Sequence, residues 1–132
     1  MIAELLADFF STFVGSSWGK AAARRAWARE AERGVIVSGL RVVSGSQRGL
    51  SREWRIGEWS VAPGRLSLDG IDVHVLSVVA DSGRPASCGE SLAGEDTRAI
   101  SLRTATAELE WSHMTYLEAT ARRRLAVPDA RP

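Results

Sequence analysis

Residues 53–80 read EWRIGEWSVAPGRLSLDGIDVHVLSVVA, and this stretch decides the fold class. Ala62-Pro63-Gly64 is a turn, because proline presets the first central position and glycine tolerates positive φ at the next. Asp69-Gly70 fits a two-residue hairpin connection. Between the turns, Arg65 to Asp69 alternates, with Leu66 and Leu68 directed inward. A strand from Glu53 to Val61 precedes them. In it Trp54 and Ile56 face one way while Trp59 and Val61 face the other, so the spacing predicts a β-bulge at Gly57. After them Ile71 to Ala80 reads as the longest strand, with Ile71, Val73, Val75 and Val79 on one face and Asp72, His74, Leu76 and Val78 on the other. Strands joined by tight hairpin turns form an antiparallel meander.

Working outward, Val35 to Val43 is β-branched and apolar with Gly39 inside it, and Ser44 to Ser51 is a Gly/Ser loop. Asp81 to Pro85 ends the long strand, and residues 86–97 form a small, polar loop. Arg98 to Arg103 is a strand with Ile100 and Leu102 inward, and Ala107, Leu109 and Trp111 line the next. Ser112 is expected to cap a helix running to about Ala126. Met114, Leu117, Ala121 and Leu125 form its inner stripe, and Arg122, Arg123 and Arg124 complement its C-terminal dipole. Pro128 prevents continuation. Six short strands and a final helix predict an α+β fold, a small antiparallel β-barrel closed by a C-terminal helix.

Trp54-x-Ile56-Gly57, the strand Arg65-Leu66-Ser67-Leu68, the Arg84-Pro85 step and Tyr116-Leu117-Glu118-Ala119 carry a resemblance across residues 34–126. The body resembles a pleckstrin-homology-like split barrel. More narrowly, it is similar to uncharacterised actinobacterial families in which such a barrel follows one N-terminal hydrophobic segment. Those families supply no catalytic residues. In phosphoinositide-binding domains of this fold the first hairpin carries the basic phosphate contacts. The resemblance therefore implies Arg41, Arg48, Arg52 and Arg55 as candidate anion contacts.

The N-terminal stretch departs from that pattern. Ile2, Leu5, Leu6, Phe9, Phe10, Phe13 and Val14 recur at three- and four-residue spacing, one apolar stripe of a helix that also carries Glu4 and Asp8. Residues 2–14 reach only about 20 Å as a helix, short of a ~30 Å hydrocarbon core. The stripe must cover a membrane surface, the barrel or another protomer. An alanine-rich second helix from about Lys20 to Arg33 carries Lys20, Arg24, Arg25, Arg29 and Arg33, flanked by Trp18 and Trp27. Aromatic residues beside cations after an apolar stripe suit an interfacial anchor, but most amphipathic helices cover protein, and a helix docked on the domain's own core or on a second copy is the more ordinary reading. Three regions are expected: an amphipathic, basic arm over 1–33, the barrel and helix over 34–126, and a tail over 127–132.

The composition of the 132-residue chain narrows the function. Seventeen basic and sixteen acidic residues give +1, with no basic excess for nucleic acid. The single cysteine, Cys88, excludes an intrachain disulfide and a cysteine-rich zinc site. No Walker loop, dinucleotide fingerprint, HExxH or G-x-S-x-G motif appears. His74 and His113 lack a third ligand, and Cys88 lacks a basic neighbour. Glu108 and Glu110 share one strand face, where Glu95 and Asp96 could approach, and they read as a solvated surface. No cofactor or metal is expected. The expected function is a non-enzymatic interaction or membrane-peripheral adaptor, working through Ile2, Leu5, Leu6, Phe9, Phe10, Phe13, Lys20, Arg24 and Arg25. Its contacts would be a protein partner, a second copy or an anionic membrane. With no basic leader region, the expected place is the cytoplasm, including the inner face of the membrane. The competing expectation is a small-ligand carrier or enzyme using the barrel mouth near His74 and the 86–97 loop.

Overall fold

The computed structural model describes residues 17–79, 84–85 and 96–130. Helix α1 (Ser17–Glu32) leads directly into strand β1 (Val35–Gly45). The meander follows as β2 (Arg55–Ala62), β3 (Arg65–Leu68) and β4 (Ile71–His74). Both turns form as the sequence dictates. Gly64 and Gly70 take positive φ, 71° and 83°, and Asp69 joins Gly70 in the left-handed region, which matches the right-handed twist of a hairpin. Three short strands come next, β5 (Ser77–Val79), β6 (Arg84–Pro85) and β7 (Thr97–Arg103). β8 (Ala107–Met114) then runs into a single 3-10 turn (Thr115–Leu117), helix α2 (Glu118–Leu125) and β9 (Asp129–Ala130).

The sheet order is β4-β3-β2-β1-β8-β7-β5-β9, antiparallel except for the parallel β5–β9 pair, with β6 on β7. Written as a line the sheet looks open, but only Val75 and Leu76 separate β4 from β5. The Val75 amide donates to the Gly64 carbonyl at 2.9 Å, beside β3, and the next amide, Leu76, donates to Arg103 on β7 at 2.8 Å. Two consecutive residues thus bond to opposite halves of the sheet, so the sheet curls into a barrel-like form. Leu117, Ala121 and Leu125 of the C-terminal segment are buried in its core. The Gly64 amide donates to the Leu125 carbonyl at 2.7 Å, tying the helix end to the β2–β3 turn.

Trp59 and Trp111 are fully buried with Ile36, Leu40, Leu66, Ile100, Leu102 and Leu109. A buried indole needs an acceptor for its N–H. Trp111 donates to Ser38 Oγ at 2.9 Å, and Trp59 donates to the Arg55 carbonyl at 3.2 Å. The hydroxyl of Ser38 in turn donates to the Ile36 carbonyl at 3.0 Å.

α1 belongs to the same core. Ala23, Trp27 and Ala31, spaced four apart, are buried in one cluster with the barrel residues. α1 lies beside the C-terminal segment. Arg24 stacks over Tyr116 at 5.3 Å, and Glu32 accepts from Arg123 at 2.7 Å.

Four local expectations are corrected. β2 pairs with β1 without interruption from Arg55 to Ser60, so there is no bulge at Gly57; the register shift lies in β1, between Val42 and Ser44. Gly57 has another role, because a Cβ there would meet Leu68 Cδ2 at 2.9 Å. The expected long strand is two, β4 and β5, and the bend changes the alternation: Val73, Val75 and Val78 are buried, while Leu76 is 58% exposed. Ser112 is not a helix cap. It is fully buried inside β8, paired with Gly39 on one side and Ala99 on the other, and the ladder carries the chain to Met114 before any helix begins. The segment read as a tail from 127 onward contributes β9, and the Val78 amide donates to the Pro128 carbonyl at 3.0 Å.

Candidate functional site

The N-terminal stripe Ile2, Leu5, Leu6, Phe9, Phe10 and Phe13 lies outside the described residues, as do Cys88 and Glu95. Lys20 falls within α1. On that helix Arg24, Arg25 and Arg29 are exposed while the alanine and tryptophan stripe faces the core. Of the two acidic residues on the helix, Glu32 is engaged by Arg123 on α2 and Glu30 lies 3.4 Å from Arg33. Among the described residues no helix is long and apolar enough to cross a membrane.

The first-hairpin arginines do not form one cationic cluster. Arg41 donates from Nε and Nη2 to Glu110 Oε1, at 2.8 and 2.6 Å, and its guanidinium lies 4.6 Å from the Trp54 ring. Glu110 is only 3% exposed, so this pair holds β1 to β8. Arg52 donates to the Val43 carbonyl at 3.2 Å, Arg55 sits 3.6 Å from Asp69, and Arg48 is exposed.

The two histidines are far apart in environment. His74 sits on β4 with its side chain 72% exposed and Nε2 3.5 Å from Asp72 Oδ2. His113 is fully buried, its ring 5.3 Å from that of Trp111, and neither ring nitrogen finds a hydrogen-bond partner. Burial pushes its pKa down to about 4, and the Glu118 carboxylate pulls it part of the way back. Glu108 is half-buried and Asp96 is exposed, its carbonyl accepting from the Thr115 amide at 2.8 Å. The read of Glu110 as part of a solvated face is corrected by its ion pair. Among the described residues no group of three His, Cys, Asp or Glu side chains is placed to hold a metal.

A concavity that the sequence does not announce lies on the outer side of β2, β3 and β4. It is an open groove of about 720 Å³, lined among others by Val35, Glu58, Ser60, Ser67, Leu68 and Ile71. Arg65 lies at its margin, held bidentate by Asp72 at 2.7 and 2.6 Å, which lowers the Asp72 pKa. Glu58 is different. Its Oε1 is closed off from water with no donor, and its pKa is raised by burial and then by the nearby Glu30 carboxylate. The only sequence signal was an acidic residue inside an otherwise amphipathic strand, which is too common to single out.

Comparisons of the chain with protein-family models, with curated proteins and with solved structures found no match.

Proposed function

We propose that this chain is a non-enzymatic, membrane-peripheral adaptor: a pleckstrin-homology-like barrel with a rigidly attached basic helix that presents the N-terminal apolar stripe. The observation that carries the reading is the division of labour on α1. Its apolar stripe, Ala23, Trp27 and Ala31, is used up in the barrel core, while Arg24, Arg25 and Arg29 face outward. A helix fixed this way cannot itself insert into lipid. It can hold a cationic face against an anionic surface and place residues 2–14 beside that surface. Each such arginine near an anionic membrane adds about 1 kcal/mol, and the attraction fades with salt. The order β4-β3-β2-β1 followed by β8-β7-β5, with a C-terminal helix, supports the pleckstrin-homology-like description. Among the described residues neither histidine lies in a cleft with a catalytic partner, and residues 86–95, on which the carrier or enzyme reading also rests, lie outside them.

The test is co-sedimentation with vesicles containing phosphatidylserine, at low and high salt. The intact protein is expected to pellet at low salt and to be released at high salt. Arg25→Glu with Arg29→Glu should weaken binding strongly, and deletion of residues 1–14 should abolish it while leaving the melting temperature unchanged. An intact protein that stays in the supernatant at low salt would sink the membrane reading.

A further inference from the structure

Among the described residues the sheet ends on β4, which pairs with β3 and with no other described strand. The hairpin decides which of its backbone groups are used. Leu68 and Ile71 flank the two-residue turn, Val73 lies opposite Leu66, and the Val75 amide donates to the Gly64 carbonyl at 2.9 Å. Hydrogen-bonded and unbonded pairs alternate along an antiparallel ladder, so Ile71, Val73 and Val75 turn their backbone groups toward β3. The N–H and C=O of Asp72 and His74 therefore point the other way, along the open edge. Among the described residues no backbone group bonds to them there. An edge in this state is a template for another strand, and proteins commonly block it with lysine, proline or a bulge. β4 reads Ile71-Asp72-Val73-His74 and pairs with β3 in unbroken register, so it carries none of the three. Nor does its acid act as a repellent, because Arg65 on β3 holds the Asp72 carboxylate at 2.7 and 2.6 Å. The side chains of Asp72 and His74 share the outward face of the sheet, 37% and 72% exposed.

We propose that β4 is a self-association edge, to which β4 of a second copy adds antiparallel about a two-fold axis through Val73. The strand's own sequence selects both the partner and the register. A two-fold axis through Asp72 would set carboxylate against carboxylate, and one through His74 would set imidazole against imidazole. An axis through Val73 sets Asp72 of each copy opposite His74 of the other. Those two pairs are the ones whose backbone groups point outward, so they exchange four N–H···O=C bonds, and each also places a carboxylate beside an imidazole on the same face. Val73 keeps its side chain in the core, where it is already fully buried, so the monomer need not repack. Leu76, 58% exposed just past the end of the edge, gains cover from the Asp69-Gly70 turn of the second copy, where a side chain at Gly70 would meet nothing within 4 Å. Four residues make a small interface against the ~1,200 Å² of stable complexes, so the association is weak and builds with concentration.

The experiment is sedimentation equilibrium of the full-length protein over a concentration series reaching about 1 mM, paired with amide hydrogen exchange by NMR at the two ends of the series. Lipid is absent throughout, so the adaptor reading has no bearing on the outcome. The mass is expected to rise from that of the 14.3 kDa monomer toward twice that value. The Asp72 and His74 amides should exchange fast at low concentration and become protected at high concentration, while the Val73 amide, bonded to β3, is protected at both. His74→Pro removes an N–H that the monomer does not use, at an edge position where proline is tolerated. It should melt with the parent at low concentration and weaken association about tenfold or more, because the two-fold axis deletes two hydrogen bonds at once. His74→Asp should weaken association by setting carboxylates opposite one another, and His74→Lys should preserve it. A chain that stays monomeric to about 1 mM would overturn the proposal, as would Asp72 and His74 amides whose protection does not change with concentration. Association that all three His74 variants leave equal to the parent would place the contact elsewhere on the chain, the N-terminal stripe included, and would overturn it too.

Discussion

Among the described residues, His113 departs far from ordinary chemistry. It pairs with Ser38 of β1 and Arg98 of β7, so the ladder fixes its position and its ring goes into the core. Both nitrogens are left without partners there. The folded chain holds it neutral down to about pH 4, against an ordinary value of 6.5, because burial penalises the imidazolium more than Glu118 rewards it. The unfolded chain takes up its proton near the ordinary value. Between those limits the unfolded state therefore binds more protons, and stability falls as the pH is lowered through the window. The loss should be fully developed by about pH 4, absent above about 6.5, and total about 3 kcal/mol from this group. His113→Phe removes the titrating group and the unpartnered nitrogens. Urea denaturation at a series of pH values should show a shallower loss of stability for the variant than for the parent. Parallel curves for the two proteins would show that His113 does not titrate on unfolding.

At the scale of elements, the C-terminal segment closes the core although its helix is short. α2 has eight residues and no side-chain cap at its N-terminus, so its own propensity cannot sustain it. Burial does: Leu117, Ala121 and Leu125 are all within 2% of complete burial. Leu117→Ala is expected to cost about 2–5 kcal/mol, as a cavity left in a packed core; an unchanged urea midpoint would remove this segment from the core. Leu117 was legible in the sequence, through its spacing with Ala121 and Leu125. The start of the helix was not. Ser112 has the chemistry of a cap, but the strand that holds it is paired on both sides, and a double ladder outweighs a local preference worth about 1 kcal/mol. The turns at Pro63-Gly64 and Asp69-Gly70 were legible because their chemistry is local. The break between β4 and β5 was not, because two apolar residues, Val75 and Leu76, bend only to satisfy partners on opposite halves of the sheet. The groove escaped for a related reason. Glu58, Ser60 and Ser67 are ordinary in sequence and share one sheet face only through strand register.

For the whole molecule, the division into a helical arm and a barrel gives a sharp test of what constitutes the folding unit. A barrel beginning at Gly34 would keep every strand, yet α1 is not an appendage in the structure. Trp27 and Ala31 are 4% and 0% exposed and share one apolar cluster with Ile36, Trp59 and Leu125. Gly34, at the helix exit, also accepts a 2.6 Å hydrogen bond from the Val61 amide, so the junction is bonded to β2. Removing α1 strips a tryptophan and two alanines from the core, and exposing the surface beneath a tryptophan alone costs several kcal/mol. That is a large part of the ~5–15 kcal/mol by which a domain of this size is stable. If residues 2–14 serve a membrane surface, as proposed, a chain of residues 17–132 is expected to melt cooperatively, at a temperature close to that of the full chain. A chain of residues 34–132 is expected to lose most of that stability, with broad melting, weak near-ultraviolet circular dichroism and binding of a hydrophobic dye. Calorimetry and near-ultraviolet spectra of the two truncated chains make the comparison. If residues 34–132 melted as sharply and as late as the full chain, α1 would be a detachable arm after all, and its arginine face would have no fixed orientation to present.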